Sequence, residues 1–391
     1  VKKNYKDVDP KLLEFCETVR ETVRFQALID HGTAYRAGME LGIDGKRLRE
    51  LVDKLTQRAA LRGYSPAHDM THPTPATHIV KGVSTLYDGD GVIKSQWVKT
   101  NVAQQDLLES FTEACKVLAE PYKGLAKPVP RPKIADKDMM TCYCLGDPHI
   151  GLYAYGKENG GANFDCEIAE RNLCGAMVDL VDRSPASGVA VILNLGDFYH
   201  ADNQSQLTNS GHKLDVDGRW SRVMDTGIQL MRTCIDYSLR KHSRVVVQNN
   251  IGNHDNLTSQ MLAKVLQAYY CKDKRVTIEP SISKFWYYQH GRVLLGSTHG
   301  DYAKPAQMPL IMAHDVPEMW GATLHRHIHM GHIHSKTHHD FPGCTVESHR
   351  TLAAGDSWSH SSGYRSIRDM TAIYYHKDAG ELDRSRSWVK Q

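Results

Sequence analysis

The chain has 391 residues, 41% hydrophobic and 24% charged, a composition that fits an ordinary globular protein and excludes the disordered, collagen-like and disulfide-framework classes. Its 48 Lys and Arg against 45 Asp and Glu leave a formal charge of +3, so it is no polycation and any nucleic-acid contact must be local. No run approaches the roughly 20 apolar residues of a membrane span, and no apolar stretch follows the basic start Val1-Lys2-Lys3. The expectation is a cytoplasmic protein with no membrane contact.

Apolar residues at helical spacing (Leu12, Phe15 or Cys16, Val19, Val23) predict one amphipathic helix from Asp9 to Asp30. A second helix in Gly32–Asp44 stops at Gly42, and Asp44 caps a third over about Gly45 to Leu61. That third helix sets Leu48, Leu51, Val52 and Leu55 on one face. The other face is basic, with Lys46, Arg47, Arg49, Lys54, Arg58 and Arg62 against Glu50 and Asp53. Ala37, Gly42 and Ile43 followed by a basic helix resemble a helix-turn-helix, which makes residues 1–70 a candidate DNA-binding region using Lys46, Arg47 and Arg49. The same pattern suits a plain helical hairpin with a solvated basic face.

Residues 71–120 read as a hairpin, Val83–Tyr87 and Val92–Val98 around Asp88-Gly89-Asp90-Gly91, followed by a helix over about Val102 to Leu118. The hairpin is placed as a wing beside the helices, and its turn is too short a ligand series for calcium. Residues 121–138, with Pro121, Pro128, Pro130 and Pro132 among basic residues, read as a semi-rigid linker. From 139 to 391 short β-branched runs (Met140–Leu145, Ala190–Leu195, Arg244–Ile251, Arg292–Ser297, Thr371–Tyr375) alternate with helical stretches, the texture of a separate α/β domain. The nine cysteines contain no C-x-x-C pair and read as reduced, mostly buried thiols.

Histidine is concentrated: 12 of the 22 fall between His290 and His360, which places an imidazole-rich site in that part of the chain. The runs end in Gly146-Asp147-Pro148-His149, Gly196-Asp197-Phe198-Tyr199-His200, Gly252-Asn253-His254-Asp255 and Thr298-His299-Gly300-Asp301, and a fifth element supplies Gly331-His332-Ile333-His334. Strand ends are where open α/β sheets place sites, and residues two apart in extended chain face one way, so Asp147 with His149 and His332 with His334 form pairs. Carboxylate, imidazole and one amide without thiolate suit borderline divalent ions. The candidates are too many for one ion and suit two sharing a carboxylate.

Asp-x-His, Gly-Asp, Gly-Asn-His-Asp, a later His and Gly-His-x-His in this order resemble the calcineurin-like metallophosphoesterase superfamily over roughly residues 139–391. The resemblance implies a four-layer αββα sandwich, here preceded by the small, mainly helical, winged helix-turn-helix domain. It implies that Asp147, His149 and His334 hold one metal, that Asn253, His299 and His332 hold the other, and that Asp197 bridges them. The pair is expected to be manganese, with iron, zinc or magnesium as alternatives. A hydroxide between the ions is expected to attack phosphorus, with His254 as general acid, while Asp255 orients or packs. His325, His327, His329, His338 and His339 read as exposed or supporting residues.

The protein-phosphatase branch carries Gly-Asp-x-x-Asp-Arg and an Arg before Gly-Asn-His; this chain has His200, Ala201 and Ile251 at those places. Gly-Asp-Phe-Tyr-His is similar instead to the SbcD-type repair nucleases, where His200 would help protonate or position a diester. The polar stretch Ala201–Trp220, with Asn203, Gln204, Asn209, Ser210 and Gly211, reads as a loop near the site. A further loop would contribute Arg350, Trp358 or Arg365 beside Tyr364. The layout resembles metallophosphoesterases of tailed bacteriophages, which would place the protein in a bacterial host's cytoplasm. The expected function is a sequence-preferring DNA-nicking endonuclease, with DNA as partner and homodimers at pseudo-palindromic sites. The alternative is a phosphatase or cyclic-nucleotide phosphodiesterase with an N-terminal protein-interaction module.

Overall fold

The computed structural model describes residues 4–74, 78–90, 92–102, 104–206, 213–279, 283–363 and 365–389, without the side chains of 78, 79, 101–110 and 358. The expectations on Asn209, Ser210, Gly211, Tyr364 and the Trp358 ring lie outside the described residues. The chain divides into two compact units, Val1–Glu113 and Ala114–Gln391.

In the first unit the single helix expected over Asp9–Asp30 is two elements, a 3₁₀ segment Pro10–Phe15 and α1 (Val19–His31). The break is local capping chemistry: the Thr18 hydroxyl accepts the Glu21 N–H at 3.1 Å, and the Glu21 carboxylate accepts the Glu17 N–H at 2.9 Å. Restarting the helix at Thr18 changes its phase. Val19 and Val23, expected inside, are 83% and 51% exposed, and Phe25, Ala27 and Leu28 are buried instead.

Next come α2 (Ala34–Leu41), ended by left-handed Gly42, and α3 (Gly45–Leu61), whose first turn is capped by Asp44 accepting the Lys46 N–H at 2.7 Å. A Cβ on Gly38 would stand 2.6 Å from the Ile43 carbonyl oxygen, and one on Gly45 would stand 2.7 Å from that of Ala34. The two glycines therefore let α2 and α3 approach closely. Leu48, Leu51, Val52 and Leu55 join Phe25, Leu28 and Ala37 in the core. The hairpin pairs β1 (His78–Tyr87) with β2 (Ile93–Val102). At its turn the Asp88 carboxylate accepts the N–H groups of Asp90 and Val92, a side chain closing its own loop.

Helix α4 (Gln104–Ala119) leads into the second unit. The proline-bearing stretch that follows runs along α8 (Asn256–Tyr269): the Gly124 and Ala126 N–H groups bond the Ala268 and Tyr269 carbonyls, and Arg275 bonds the Val129 carbonyl at 3.0 Å.

This unit is mixed α/β with two sheets. In the first, β3 (Asp136–Leu145), β4 (Ser187–Asn194), β5 (Arg244–Asn249) and β6 (Val276–Ile278) run parallel. Antiparallel β12 (Asp369–His376) and β13 (Gly380–Trp388) extend the β3 side. The second sheet has the order β10 (Thr337–Phe341), β11 (Cys344–Ser348), β9 (His325–Met330), β8 (Val293–Thr298), β7 (Trp286–His290).

Strand alternation assigns the layers. Tyr143, Ala190, Ile192, Val245 and Val247 pack on α6 (Cys166–Arg183), α7 (Trp220–Ser238) and α8. Met140, Cys142, Cys144, Val189, Val191 and Leu193 face Val293 and Leu295 of the second sheet. The far side of that sheet, Leu294, Ile328, Met330 and Val346, is covered by Met308 and Met312 of α9 (Met308–Asp315), with α10 (Pro317–Ala322) after it. Two short helices, α5 (Gly156–Asn159) and α11 (Ser357–Ser361), lie in loops. Among the described residues no helix is long and apolar enough to cross a membrane.

Candidate metal centre

Strands β3, β4, β5, β8 and β9 all deliver chain to one place. Asp147 and His149 follow β3, Asp197 follows β4, Asn253 follows β5, His299 follows β8, and His332 and His334 follow β9. Six of these seven residues come together as two donor sets, Asp147/His149/His334 and Asp197/His299/His332, each with its ligand atoms within 4.8 Å of one another. Asn253 Oδ1 lies 2.9 Å from His299 Nε2. His149 Nε2 is 3.1 Å from His334 Nε2, and His332 Nδ1 is 3.2 Å from His299 Nε2.

The backbone is bent to achieve this. Asp147, His149, Asp197, His332 and His334 all have φ between 44° and 69°, a region that costs non-glycine residues about 1 kcal/mol or more each and persists where surrounding structure enforces it. Two glycines make the room. A Cβ on Gly331 would stand 2.6 Å from Asp147 Oδ2, and one on Gly252 would collide with the Asp197 carboxylate.

Both carboxylates are buried and face imidazole. Burial, with Asp197 alongside, pushes Asp147 up to about 8. Asp197 is held well below the carboxylate range, against its own burial, by His299, whose Nε2 is 3.3 Å from Asp197 Oδ2. Burial, reinforced by neighbouring imidazoles, depresses His149, and burial brings His334 down to about 4. The His299 Nδ1–H donates to the Leu195 carbonyl at 2.9 Å, which turns Nε2 toward the centre.

His149, His332 and His334 are depressed by burial and stand with nitrogens face to face, and only His299, pushed up to about 10 against its own burial by Asp197 and Asp147, gives the paired buried carboxylates a positive charge; a divalent cation would take the place of that proton. Divalent cations fit this donor set: the ligands are oxygen and nitrogen, and their orienting bonds are in place.

His254 lies beside the two donor sets. Its backbone N–H donates to Asp197 Oδ1 at 2.8 Å, and its Nδ1–H donates to the His200 carbonyl at 2.9 Å, leaving Nε2 as the nitrogen available to a ligand. His200 stacks on His254 at 5.2 Å between ring centroids and approaches His149 Nδ1 at 3.2 Å. Burial and the neighbouring His254 bring it down to about 3, so it stays neutral.

Asp255 ties the loops together. Its carboxylate accepts the backbone N–H groups of Asp197 (3.2 Å), Phe198 (2.8 Å), Tyr199 (3.3 Å) and Gly252 (2.9 Å), and the Ser259 hydroxyl at 2.5 Å.

Other supporting groups carry no sequence signal. Asp202 accepts the N–H groups of Leu257 and Thr258 and so caps α8, and the Thr351 hydroxyl donates to the Asp147 carbonyl at 2.6 Å. Lys284 donates to the Ile251 carbonyl and pairs with Asp301 at 2.9 Å, bracing the Gly252–Asn253 loop. The loop arginines are engaged: Arg350 pairs with Asp369 at 2.7 Å, and Arg365 donates to the His360 carbonyl. Of the flanking histidines, His329 is not exposed but buried at the heart of the second sheet, because the run His325–Met330 is itself strand β9 with alternate residues facing inward.

In the first unit the proposed DNA-contact residues Lys46, Arg47 and Arg49 are exposed on α3. Lys46 lies 3.8 Å from Glu50. Two members of the expected basic face are engaged by acidic residues instead: Lys54, still exposed, pairs with Glu21 at 3.0 Å, and Arg58 pairs with Glu17 and Glu21, each at 3.0 Å. The pairing follows from Glu21 in the first turn of α1, and Glu17 just ahead of it, lying against α3.

No protein-family model and no curated relative matches the chain. Among solved structures it is similar to a conserved uncharacterised protein of Streptococcus pneumoniae described as a predicted phosphoesterase, at 11% identity and TM-score 0.26, over 64% of this chain and 98% of that one. Vps29 of Entamoeba histolytica, complexed with zinc, aligns at 11% identity and TM-score 0.25 over 64% of this chain and 99% of its own. Vacuolar protein sorting 29 of Cryptosporidium parvum aligns at 10% identity and TM-score 0.27 over 65% of this chain and 100% of its own.

Proposed function

We propose that the second unit is a dinuclear metal-dependent phosphodiesterase acting on DNA as a nicking endonuclease, with the first unit contributing DNA contacts. The carrying observation is the convergence of Asp147/His149/His334 and Asp197/His299/His332 on one centre with His254 alongside. Asp147, His149 and His334 would hold one divalent ion, and Asn253, His299 and His332 the other, with Asp197 facing both. When bound, such ions neutralise charge on phosphoryl oxygens and acidify water.

The chain's own groups do the rest. In its doubly protonated form His254, with Nδ1–H fixed by the His200 carbonyl, presents Nε2–H and passes that proton to the leaving oxygen as water bonds to phosphorus and the P–O bond breaks. His200, neutral and stacked on His254, positions that ring instead of supplying a proton. Asp255 fixes the two loops that carry Asp197 and Asn253.

A diester on an extended strand is favoured over a terminal phosphate by two features. No arginine stands at the two clamp positions, which hold Ala201 and Ile251, and His200 replaces the Asp that precedes the first of them. A cleft of roughly 1200 Å³ whose lining includes His334 also carries Arg171, Arg183, Arg368 and Arg386, cations that suit a phosphate backbone. Exposed Arg47 and Arg49 on α3 support duplex contact by the first unit.

The test is supercoiled plasmid with Mn²⁺, against EDTA and His254→Ala, with a small diester and a phosphomonoester in parallel. Conversion to open circle only with metal and intact His254 is expected. Intact plasmid beside rapid small-substrate turnover would replace this reading with the phosphatase or cyclic-nucleotide one.

A further inference from the structure

We propose that the space between the two sheets holds a third, structural metal site, in which Cys142, Cys144, His329 and His349 bind one zinc or similarly thiophilic ion. Cys142 and Cys144 alternate on β3 and are both fully buried toward the second sheet. Their sulfurs are 3.9 Å apart. From the opposite sheet His329 on β9, 1% exposed, brings a ring nitrogen within 4.8 Å of both sulfurs. His349, just beyond β11 and also buried, sets Nε2 3.0 Å from His329 Nδ1.

The dimensions are those of a tetrahedral site. Zn–S of about 2.3 Å and Zn–N of about 2.0–2.1 Å put neighbouring sulfurs about 3.8 Å apart and neighbouring nitrogens about 3.3 Å apart. The two sulfurs, 3.9 Å apart, and the two facing ring nitrogens, 3.0 Å apart, stand at nearly these spacings. Charge also balances: two thiolates and two neutral imidazoles around a divalent ion sum to zero, so the ion can be buried between sheets without a further counter-charge. Glu347, the nearby carboxylate, is already matched by Arg384 at 2.7 Å and Lys336 at 3.0 Å. The Tyr375 hydroxyl, 3.1 Å from His329 Nε2, holds the imidazole in orientation.

The consequence is mechanical. Cys144 stands three residues before Asp147, and His329 three residues before His332. An ion joining them would pin the ends of β3 and β9, which deliver donors of the centre from opposite sheets, without sharing a ligand with it.

The test uses the full chain and a signature that the oxygen- and nitrogen-lined centre cannot produce. Cobalt-substituted protein is expected to show a thiolate-to-cobalt charge-transfer band in the near ultraviolet. The band should persist in Asp147→Asn/His332→Ala and vanish in Cys142→Ala/Cys144→Ala, in which small apolar side chains keep the core filled. Should that double variant fail to fold, zinc-edge X-ray absorption of the wild-type protein decides alone. A sulfur shell at about 2.3 Å supports the site. An all oxygen and nitrogen shell, or no thiolate band in wild type, overturns it.

Discussion

Replacing Asp255 with Asn isolates what holds the centre together, because it keeps the shape of the side chain and changes only what its atoms accept. The carboxylate is fully buried and receives four backbone N–H groups and one hydroxyl. Oδ1 takes those of Asp197 and Gly252, while Oδ2 takes those of Phe198 and Tyr199 and the Ser259 O–H. An amide can face only one of these pairs with its oxygen; the other pair meets an NH₂ group. Two buried N–H donors are then left without an acceptor, at about 1–3 kcal/mol each, so the variant should lose about 2–6 kcal/mol of stability. The same loss frees the Asp197 and Gly252 loops from one another, so divalent-ion uptake should weaken in parallel. Denaturant unfolding of the metal-free chain and calorimetric titration of Mn²⁺ read the two effects separately. A variant within about 0.5 kcal/mol of wild type with unchanged metal affinity would refute the view that this carboxylate organises the centre.

In the first unit, Glu21 is brought down to about 2 chiefly by the Arg58 hydrogen bond. Its folded value lies below its unfolded one, so the pairing stabilises above pH ~4.5 and is lost as pH falls toward about 2. Because Lys54 is largely exposed, Glu21→Gln should cost about 1–2 kcal/mol at pH 7. Thermal scans should show that cost shrinking between pH 4.5 and 2; an equal cost at both ends would deny the ion pairs their role. For DNA, Arg47→Ala/Arg49→Ala should weaken duplex binding by the metal-free chain and flatten its dependence on log salt by about two phosphate contacts. Fluorescence anisotropy at several salt concentrations checks this, and unchanged affinity would remove α3 from the interface.

The parts of the molecule legible in the sequence are those written in local chemistry. Gly42 and Asp44 end one helix and start the next because a left-handed stop and a side-chain cap are decided by one or two residues. The five strands read as β-branched runs are β3, β4, β5, β8 and β12, mostly buried, where apolar composition and strand agree. The donors Asp147 to His334 announced themselves by glycine-flanked spacing at strand ends. What escaped was set by partners distant in sequence. Strand β9, His-Arg-His-Ile-His-Met, carries too little apolar residue to look like a central strand, yet parallel neighbours β8 and β11 enclose it. Its histidines alternate as a strand's must, so the inward ones meet Tyr375 and His349 from elsewhere in the chain. Val19 failed for the opposite reason, since its periodicity was real but the Thr18 cap reset the phase. Lys54 and Arg58 show the same limit in charge: composition counts a cation, and only the packing of α1 on α3 decides whether it faces a phosphate or a glutamate.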